Sequence, residues 1–98
     1  MAYSIVISKR AVKEIEIAID YYVKHSSQAP SIFVQELETA YELLTHTPPT
    51  RLYYKNINGL KLKRFPYILY FLIDENKKII KVLACFHNRR NPDLRPDL

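Results

Sequence analysis

Residues 60–87, LKLKRFPYILYFLIDENKKIIKVLACFH, decide the fold because they contain three successive segments with the pattern of β-strands. Apolar and basic residues alternate from Leu60 to Phe65, and the segment from Tyr67 to Asp74 is almost continuously apolar. A polar turn, Glu75-Asn76-Lys77, separates that segment from a further strand pattern that runs from Lys78 to His87. The stretch therefore predicts a three-stranded antiparallel meander.

The last segment has a period of two, so its side chains alternate between the two faces of the sheet. One face carries four apolar side chains: Ile80, Val82, Ala84 and Phe86. If these four face the core, His87 lies on the opposite face of the sheet, which we expect to be open.

Two amphipathic helices precede the meander. Ser8 has the character of an N-cap for a helix that starts at Lys9 and ends near His25-Ser26-Ser27. Pro30 suits the first turn of a second helix, which Thr47-Pro48-Pro49 ends. The apolar positions at helical spacing are Val12, Ile15, Ile19, Tyr22 and Val23 in the first helix, and Phe33, Leu37, Ala40, Tyr41 and Leu44 in the second.

A strand over Tyr3 to Ser8, rich in β-branched residues, comes before both helices. The element order β-α-α-β-β-β predicts an α+β fold in which the helical hairpin packs on one face of a small, mainly antiparallel sheet. We expect one domain over residues 1–98, because a chain of 98 residues is too short for two independent cores. Pro92 and Pro96 indicate that residues 91–98 form an extended tail.

The charge balance narrows the class of partner. Lys and Arg number 15 against 10 Asp and Glu, a formal charge of +5 that favours an acidic protein or a nucleic acid, although solubility alone also explains it. A single cysteine, Cys85, cannot form an intramolecular disulfide, and no spacing of Cys and His predicts a zinc site. We expect a cytoplasmic protein without metal or cofactor and without a membrane span, since the apolar run from Tyr67 to Ile73 is too short for one.

Basic side chains cluster at two places in the predicted meander. Lys61, Lys63 and Arg64 lie on its first strand, and Arg89 and Arg90 follow its last strand. Alternation places the two lysines on one face and Arg64 on the other. Together the five residues are candidates for binding a target, since guanidinium groups suit phosphate and carboxylate forks, although lysines also solubilise exposed strands.

The remaining ionisable residues give weaker signals. His87 could transfer a proton near neutral pH, but no nearby carboxylate in the sequence would orient its ring. The helix carboxylates are typical of solvated faces: Glu14, Glu16, Asp20, Glu36, Glu38 and Glu42. Cys85 has no motif around it and fits a small core position.

The order of these elements resembles the RelE/ParE superfamily of toxins over nearly the whole chain. The resemblance lies in the strand-helix-helix start, in residues 63–70 (KRFPYILY) and in residues 83–92 (LACFHNRRNP). It implies a growth-inhibiting toxin of the plasmid stabilisation type, encoded beside an acidic antitoxin whose C-terminal segment wraps its helices and sheet. It also implies that the pair can assemble into a higher-order toxin–antitoxin complex.

The superfamily has two modes of action, and the residues favour the ParE-like one. RelE-like toxins cleave mRNA on the ribosome, whereas ParE-like toxins poison DNA gyrase. Arg89 matches a basic position of the nucleases, but Ile68 stands where their strand arginine is expected, and Arg95 stands near the place of their C-terminal tyrosine. The match therefore leaves the mode of action open and favours a gyrase inhibitor.

A ribonuclease remains the alternative. Arg64, His87 and Arg89 could serve a histidine-using nuclease, although Asn88 replaces the aromatic residue that ends that motif. A plain nucleic-acid-binding module is the weakest reading, because the sequence has no recognition helix with a basic face and no aromatic ribonucleoprotein motif.

The antitoxin is expected to add an amphipathic helix or a strand to the toxin. An unpaired sheet edge and amphipathic aromatic side chains are the features that such a segment uses. We expect it to contact the sheet edge and the surface around Tyr53, Tyr54 and Tyr70.

Overall fold

The computed structural model describes residues 2–50 and 52–96, except for the side chains of Tyr53 and Tyr54. Its elements are β1 (Ser4–Ile7), α1 (Lys9–His25), α2 (Ala29–His46), β2 (Leu52–Tyr54), β3 (Ile57–Lys61), β4 (Tyr67–Asp74) and β5 (Ile79–His87). The strands form one five-stranded sheet in the order β1-β5-β4-β3-β2, with β1 parallel to β5 and the other neighbours antiparallel. The predicted α+β fold is confirmed. Neither α1 nor α2 combines the length and the apolar character that a membrane crossing requires.

Helix α1 starts as predicted, and Ile15, Ile19 and Tyr22 of its predicted stripe pack against the core, but Val12 and Val23 do not. The Ser8 side-chain oxygen accepts a hydrogen bond from the Ala11 N–H at 3.0 Å, which satisfies one of the free donors of the first turn. Ala11 and Ala18 are fully buried, whereas Val12 and Val23 are 44% and 62% exposed, so the placement of the two valines in the core was wrong. The small alanine side chains let the helix backbone lie close to the sheet.

Helix α2 follows its predicted stripe. Phe33, Leu37, Ala40 and Leu44 are buried against the sheet residues Leu69, Phe71, Ile80 and Val82, and together they form the main core. Pro30 lies in the first turn, as expected from its fixed φ angle. This packing holds α2 on the sheet, and near its C-terminal end the Thr45 carbonyl accepts the Tyr3 N–H beside β1 at 2.8 Å.

The strand expected over Leu60 to Phe65 was misplaced. Strand β3 begins earlier, pairs with the unpredicted strand β2, and ends at Lys61. The Leu62 N–H donates to the Tyr67 carbonyl at 3.0 Å, which closes the chain into a turn before the predicted alternation is complete. Lys63 and Arg64 therefore lie in the β3–β4 connection, and assigning the lysines and Arg64 to opposite strand faces was wrong.

A β-bulge in β5 reverses the predicted faces of its second half. Phe71 pairs with Val82 while Tyr70 pairs with Ala84, so Leu83 is an extra residue without a partner in β4. Because side chains alternate, one extra residue moves every later side chain to the other face. Cys85 and His87 therefore lie on the helix side, paired with Leu69 and Tyr67.

The opposite face of the sheet is covered, contrary to the expectation that it is open. Ile57, Ile68, Tyr70, Ala84 and Phe86 form a second buried cluster there. The guanidinium groups of Arg10 and Arg90 lie 6.0 and 5.4 Å from the centre of the Phe86 ring.

The C-terminal segment also departs from the expected extended tail. Pro92–Leu94 form one turn of 3₁₀ helix, the Leu94 carbonyl accepts a hydrogen bond from Arg10, and Pro96 is buried. The described part of the segment is therefore held against the domain.

Candidate interaction site

The predicted basic residues meet at one end of the sheet. The Asn88 N–H donates to the Pro66 carbonyl at 2.8 Å, which joins the turn after β5 to the β3–β4 connection. We call this region the basic end, and its members are Lys61, Lys63, Arg64, Arg89 and Arg90. The two basic segments are thus neighbours, but their arginines lie beside carboxylates on different helices, Arg64 beside Glu36 and Arg90 beside Glu14.

Glu36 on α2 holds the β3–β4 connection. Its Oε1 atom accepts the backbone N–H groups of Lys63 and Arg64 at 3.0 and 3.2 Å, and Oε2 lies 3.7 Å from the Arg64 Nε. The Glu36 side chain is only 15% exposed, whereas that of Arg64 is 72% exposed. Within the described residues, Oε2 is buried and accepts no hydrogen bond. We call this arrangement the Glu36 clasp.

Glu14 on α1 makes a second and tighter arrangement, the Glu14 clasp. Its Oε1 accepts the Cys85 N–H at 3.0 Å, and its Oε2 lies 3.0 Å from Arg90 Nη1 and 3.4 Å from Arg10 Nε. Strand β1 pairs with β5 only as far as Val82, so the outward N–H of Cys85 has no strand partner and Glu14 supplies the acceptor. The Glu14 side chain is 11% exposed.

Placing Glu14 and Glu36 on solvated helix faces was therefore wrong. Arg10 and Glu14 are four residues apart on α1, a spacing that predicts an ion pair but not its burial. The sequence around Glu36 carries no comparable signal, because its partners are backbone N–H groups 27 and 28 residues away. Buried N–H groups need acceptors, and only the assembled sheet reveals which ones lack a strand partner.

A groove runs between α2 and the end of β3, with a volume of about 470 Å³. Its apolar part contains Ile32, Ala40, Leu43, Leu60 and Leu62, and its polar part contains Gln35, Glu36, Thr39, Lys61, Lys63 and Arg64. We call it the α2 groove. Three of the five members of the basic end, Lys61, Lys63 and Arg64, therefore line the α2 groove. The sequence did not predict this groove.

His87 is placed differently from the prediction and has its own contacts. Its ring packs edge to face on Tyr67, with 5.2 Å between the ring centres, on the helix side of the sheet. Its Nδ1 lies 3.1 Å from the Arg89 backbone nitrogen, whose N–H it accepts. This bond favours the tautomer of a neutral His87 that carries its proton on Nε2, so that this nitrogen donates a hydrogen bond rather than accepting one.

The neighbouring Tyr67 phenol and Cys85 thiol do not supply a general base either. Burial, with a smaller effect from the neighbouring Tyr22, raises the pKa of Tyr67 to about 12, so its phenol stays protonated at neutral pH. Burial, reinforced by the negative charge of Glu14, raises the pKa of the Cys85 thiol to about 12. Cys85 is 2% exposed, which confirms its predicted core position and removes it as a nucleophile.

The aromatic residues predicted for the antitoxin are only partly described. Tyr70 is 3% exposed in the second cluster, with its ring centre 5.8 Å from that of Phe86, so it is not on the expected open surface. The side chains of Tyr53 and Tyr54 lie outside the described residues. Strand β2 is an edge of the sheet, so strand addition at that edge stays a prediction.

Comparisons with known proteins agree with this architecture. The sequence model of a family described as the ParE toxin of the type II toxin–antitoxin system, parDE, matches residues 5–92. The fold matches a chain from a solved chromosomal ParDE toxin–antitoxin system of P. aeruginosa with a TM-score of 0.73 and 18% sequence identity. That match covers 87% of this chain and 95% of the other, and at this identity it establishes the fold. No curated protein matches the sequence.

Proposed function

The chain belongs to the ParE toxin family of type II toxin–antitoxin systems, and we propose that it arrests growth by binding DNA gyrase without cleaving RNA. The observation that carries this proposal is the engagement of the His87 lone pair by the Arg89 N–H. A side chain must have a free lone pair to take a proton from a ribose hydroxyl.

The other nuclease positions point the same way. Ile68 stands where the nucleases have an arginine, and it is 9% exposed in the second cluster. Arg90 is paired with Glu14, which offsets part of the positive charge that a developing phosphate dianion would need. These contacts support a toxin that binds its target and performs no chemistry.

The basic end is the surface that we propose for target binding. Lys61, Lys63, Arg64 and Arg89 are exposed, and Arg90 remains 45% exposed beside Glu14. A cluster of exposed cations speeds association with an acidic surface and fixes its orientation. We propose that an acidic antitoxin in the same cytoplasm prevents this contact.

Growth arrest and mechanism can be tested with one small set of strains. We expect the chain alone to stop bacterial growth and co-expression of the adjacent small acidic protein to restore it. Purified toxin should inhibit supercoiling by DNA gyrase and should leave translated mRNA uncut when cleavage sites are mapped by primer extension. His87→Ala should reduce toxicity only modestly, while Arg89→Ala combined with Arg90→Ala should weaken gyrase inhibition by about tenfold or more.

The ribonuclease alternative makes an opposite prediction for the same strains. Removing a positioned proton-transfer group typically costs a factor of about 100 or more. The wild-type toxin would then cut mRNA at codon positions, and these cuts would vanish in His87→Ala while folding and antitoxin binding are retained. That result would replace gyrase inhibition by mRNA cleavage as the function of the toxin.

A further inference from the structure

We propose that His87 is a positioning residue for target binding: its neutral ring holds Arg89 in the orientation that meets the target, and protonation of the ring releases Arg89. The inference rests on the proposed function, in which the basic end binds the target. It gives His87 a role without proton transfer to a substrate, and it makes target binding sensitive to pH.

A turn from His87 to Arg90 follows strand β5. The Arg90 N–H donates to the His87 carbonyl at 3.0 Å and closes a turn of four residues. The Asn88 N–H donates to the Pro66 carbonyl at 2.8 Å, so the turn is also joined to the β3–β4 connection. The Arg89 N–H lies between these two donors and binds the His87 side chain instead of a carbonyl group.

The imidazole of His87 acts in this turn as the side chain of an asparagine commonly does. Its Nδ1 accepts the N–H of Arg89, two residues further on, at 3.1 Å. Asn and Asp side chains often accept a backbone N–H at this spacing, and the local bond stabilises a turn. The contact with the Tyr67 ring orients the imidazole. The ring therefore fixes the backbone from which the Arg89 side chain extends.

Arg89 and Arg90 are neighbours on the turn but are held in different ways. Arg90 Nη1 lies 3.0 Å from Glu14 Oε2, and the Arg90 guanidinium lies 5.4 Å from the centre of the Phe86 ring. The Arg89 side chain is exposed, and within the described residues the bond that holds this residue is the one from its backbone N–H to His87. The direction of the Arg89 side chain therefore depends on the state of His87.

Protonation of the ring removes this bond. A neutral imidazole can accept a hydrogen bond at Nδ1, whereas a protonated imidazole donates at both nitrogens. Two N–H groups then face each other across the 3.1 Å contact, so the ring and the Arg89 backbone must move apart. A histidine side chain ordinarily changes its charge between about pH 5 and 8.

Ionisable side chains on three elements lie against His87 or against its direct neighbours. On β4 and β5, burial raises the pKa of Tyr67 and that of Cys85 to about 12. On α1, burial raises the pKa of Tyr22 beside Tyr67, and both oxygens of Glu14 are bonded, to the Cys85 N–H and to arginines. Among these side chains, histidine is the one that ordinarily changes its charge in that range.

The first test compares three substitutions of His87. His87→Asn keeps an acceptor for the Arg89 N–H and cannot be protonated, His87→Phe keeps a ring beside Tyr67 but has no acceptor, and His87→Ala removes both. The purified full-length variants are checked for folding by circular dichroism and assayed for inhibition of gyrase supercoiling. We expect His87→Asn to stay within about twofold of the wild type, and the other two to be weaker by about threefold to fivefold, the effect of one hydrogen bond.

Two outcomes of this comparison would overturn the proposal. A His87→Phe variant that inhibits as well as the wild type would show that the acceptor is not needed. A loss of about 100-fold or more in both His87→Asn and His87→Ala would point to proton transfer by the imidazole rather than to positioning.

The pH profile separates positioning from a merely structural role. Affinity for purified gyrase is measured for the wild type and for His87→Asn between about pH 8 and pH 6, and the ratio of the two affinities cancels pH effects on gyrase itself. About 0.3 M salt screens the long-range attraction of the added charge. We expect the wild type to lose severalfold in affinity relative to His87→Asn toward pH 6. A constant ratio would refute the release of Arg89.

A matched control is available at the end of α2. His46 is exposed and lies outside the basic end, so His46→Asn removes one histidine without touching the turn. This variant should keep the pH dependence of the wild type. If His46→Asn abolished that dependence, His87 would not be the group responsible.

A measurement without gyrase distinguishes failure of this inference from failure of the proposed function. In the ¹⁵N-labelled chain, the amide resonance of Arg89 should shift together with the titration of the His87 ring nitrogens. If it does so but the chain does not inhibit gyrase, the proposed function fails while the hold of His87 on Arg89 is confirmed. If gyrase is inhibited but the Arg89 amide does not respond as His87 titrates, the positioning role alone fails.

Discussion

The Glu14 clasp and the Glu36 clasp are built in the same way but hold their arginines differently. In each, Oε1 of a mostly buried helix carboxylate accepts backbone N–H groups from the sheet end, and Oε2 faces an arginine. Oε2 of Glu14 lies 3.0 Å from Arg90, whereas Oε2 of Glu36 lies 3.7 Å from Arg64. Glu14 also binds Arg10, and both of its arginines lie near the Phe86 ring.

The difference shows that the contact of Glu14 with Arg90 is structural, whereas Arg64 beside Glu36 remains available to a partner. The oxygens of Glu14 are both hydrogen-bonded, so this carboxylate joins α1, β5 and the C-terminal segment into one unit. Oε2 of Glu36 accepts no hydrogen bond from the described residues, and Arg64 is mostly exposed to solvent. The same pairing of residue types thus stabilises the fold at one helix and leaves a cation for a partner at the other.

The largest effect that tests this comparison is loss of Glu14. Glu14→Ala leaves the Cys85 N–H without its acceptor and removes the carboxylate shared by Arg10 and Arg90, so we expect the free energy of unfolding to fall by about 3 kcal/mol. Urea denaturation with an unchanged m-value measures this loss.

Glu16→Ala on the same helix is the matched control, since Glu16 is exposed, and it should change stability by less than about 0.5 kcal/mol. Similar losses in the two variants would show that the Glu14 clasp is not a structural contact.

The parts of the fold set by local patterns were predictable from the sequence. Ser8 caps α1, Pro30 lies in the first turn of α2, and the almost continuously apolar segment from Tyr67 to Asp74 forms the central strand β4. Each of these rests on one segment and its own periodicity. The meeting of the two basic segments at one end of the sheet was also predictable, because it follows from the antiparallel order alone.

The side-chain environment of the site was not predictable. The bulge at Leu83 moves His87 from the expected open face to the side of Tyr67, and no local residue pattern marks that extra residue. Asn58-Gly59, a common turn pair, lies inside β3, while the β2–β3 turn passes through Lys55 with a φ of 50°. These features depend on tertiary packing and not on the local residue pattern.

The second largest expected effect is a difference in stability between the Arg90→Ala and Arg64→Ala variants. Arg90→Ala removes the 3.0 Å contact with Glu14 and the contact with the Phe86 ring, so we expect a loss of about 1 kcal/mol in the free energy of unfolding. Arg64→Ala should cost less than about 0.5 kcal/mol, because the Arg64 side chain is 72% exposed and its pair is long. If Arg64→Ala destabilised the chain as much as Arg90→Ala, the two clasps would be equivalent.

The smallest expected effect is the coupling between Glu36 and Arg64 in the free toxin. A double-mutant cycle with Glu36→Gln and Arg64→Ala isolates this pair, because glutamine retains an acceptor for the N–H groups of Lys63 and Arg64. We expect a coupling energy of at most about 0.5 kcal/mol in urea denaturation, as for exposed ion pairs.

The corresponding cycle with Glu14→Gln and Arg90→Ala should give a coupling at least about twice as large, since that pair is shorter and its carboxylate is less exposed. A coupling above about 1 kcal/mol for Glu36 and Arg64 would make Arg64 a structural residue like Arg90 and would remove the difference between the two clasps.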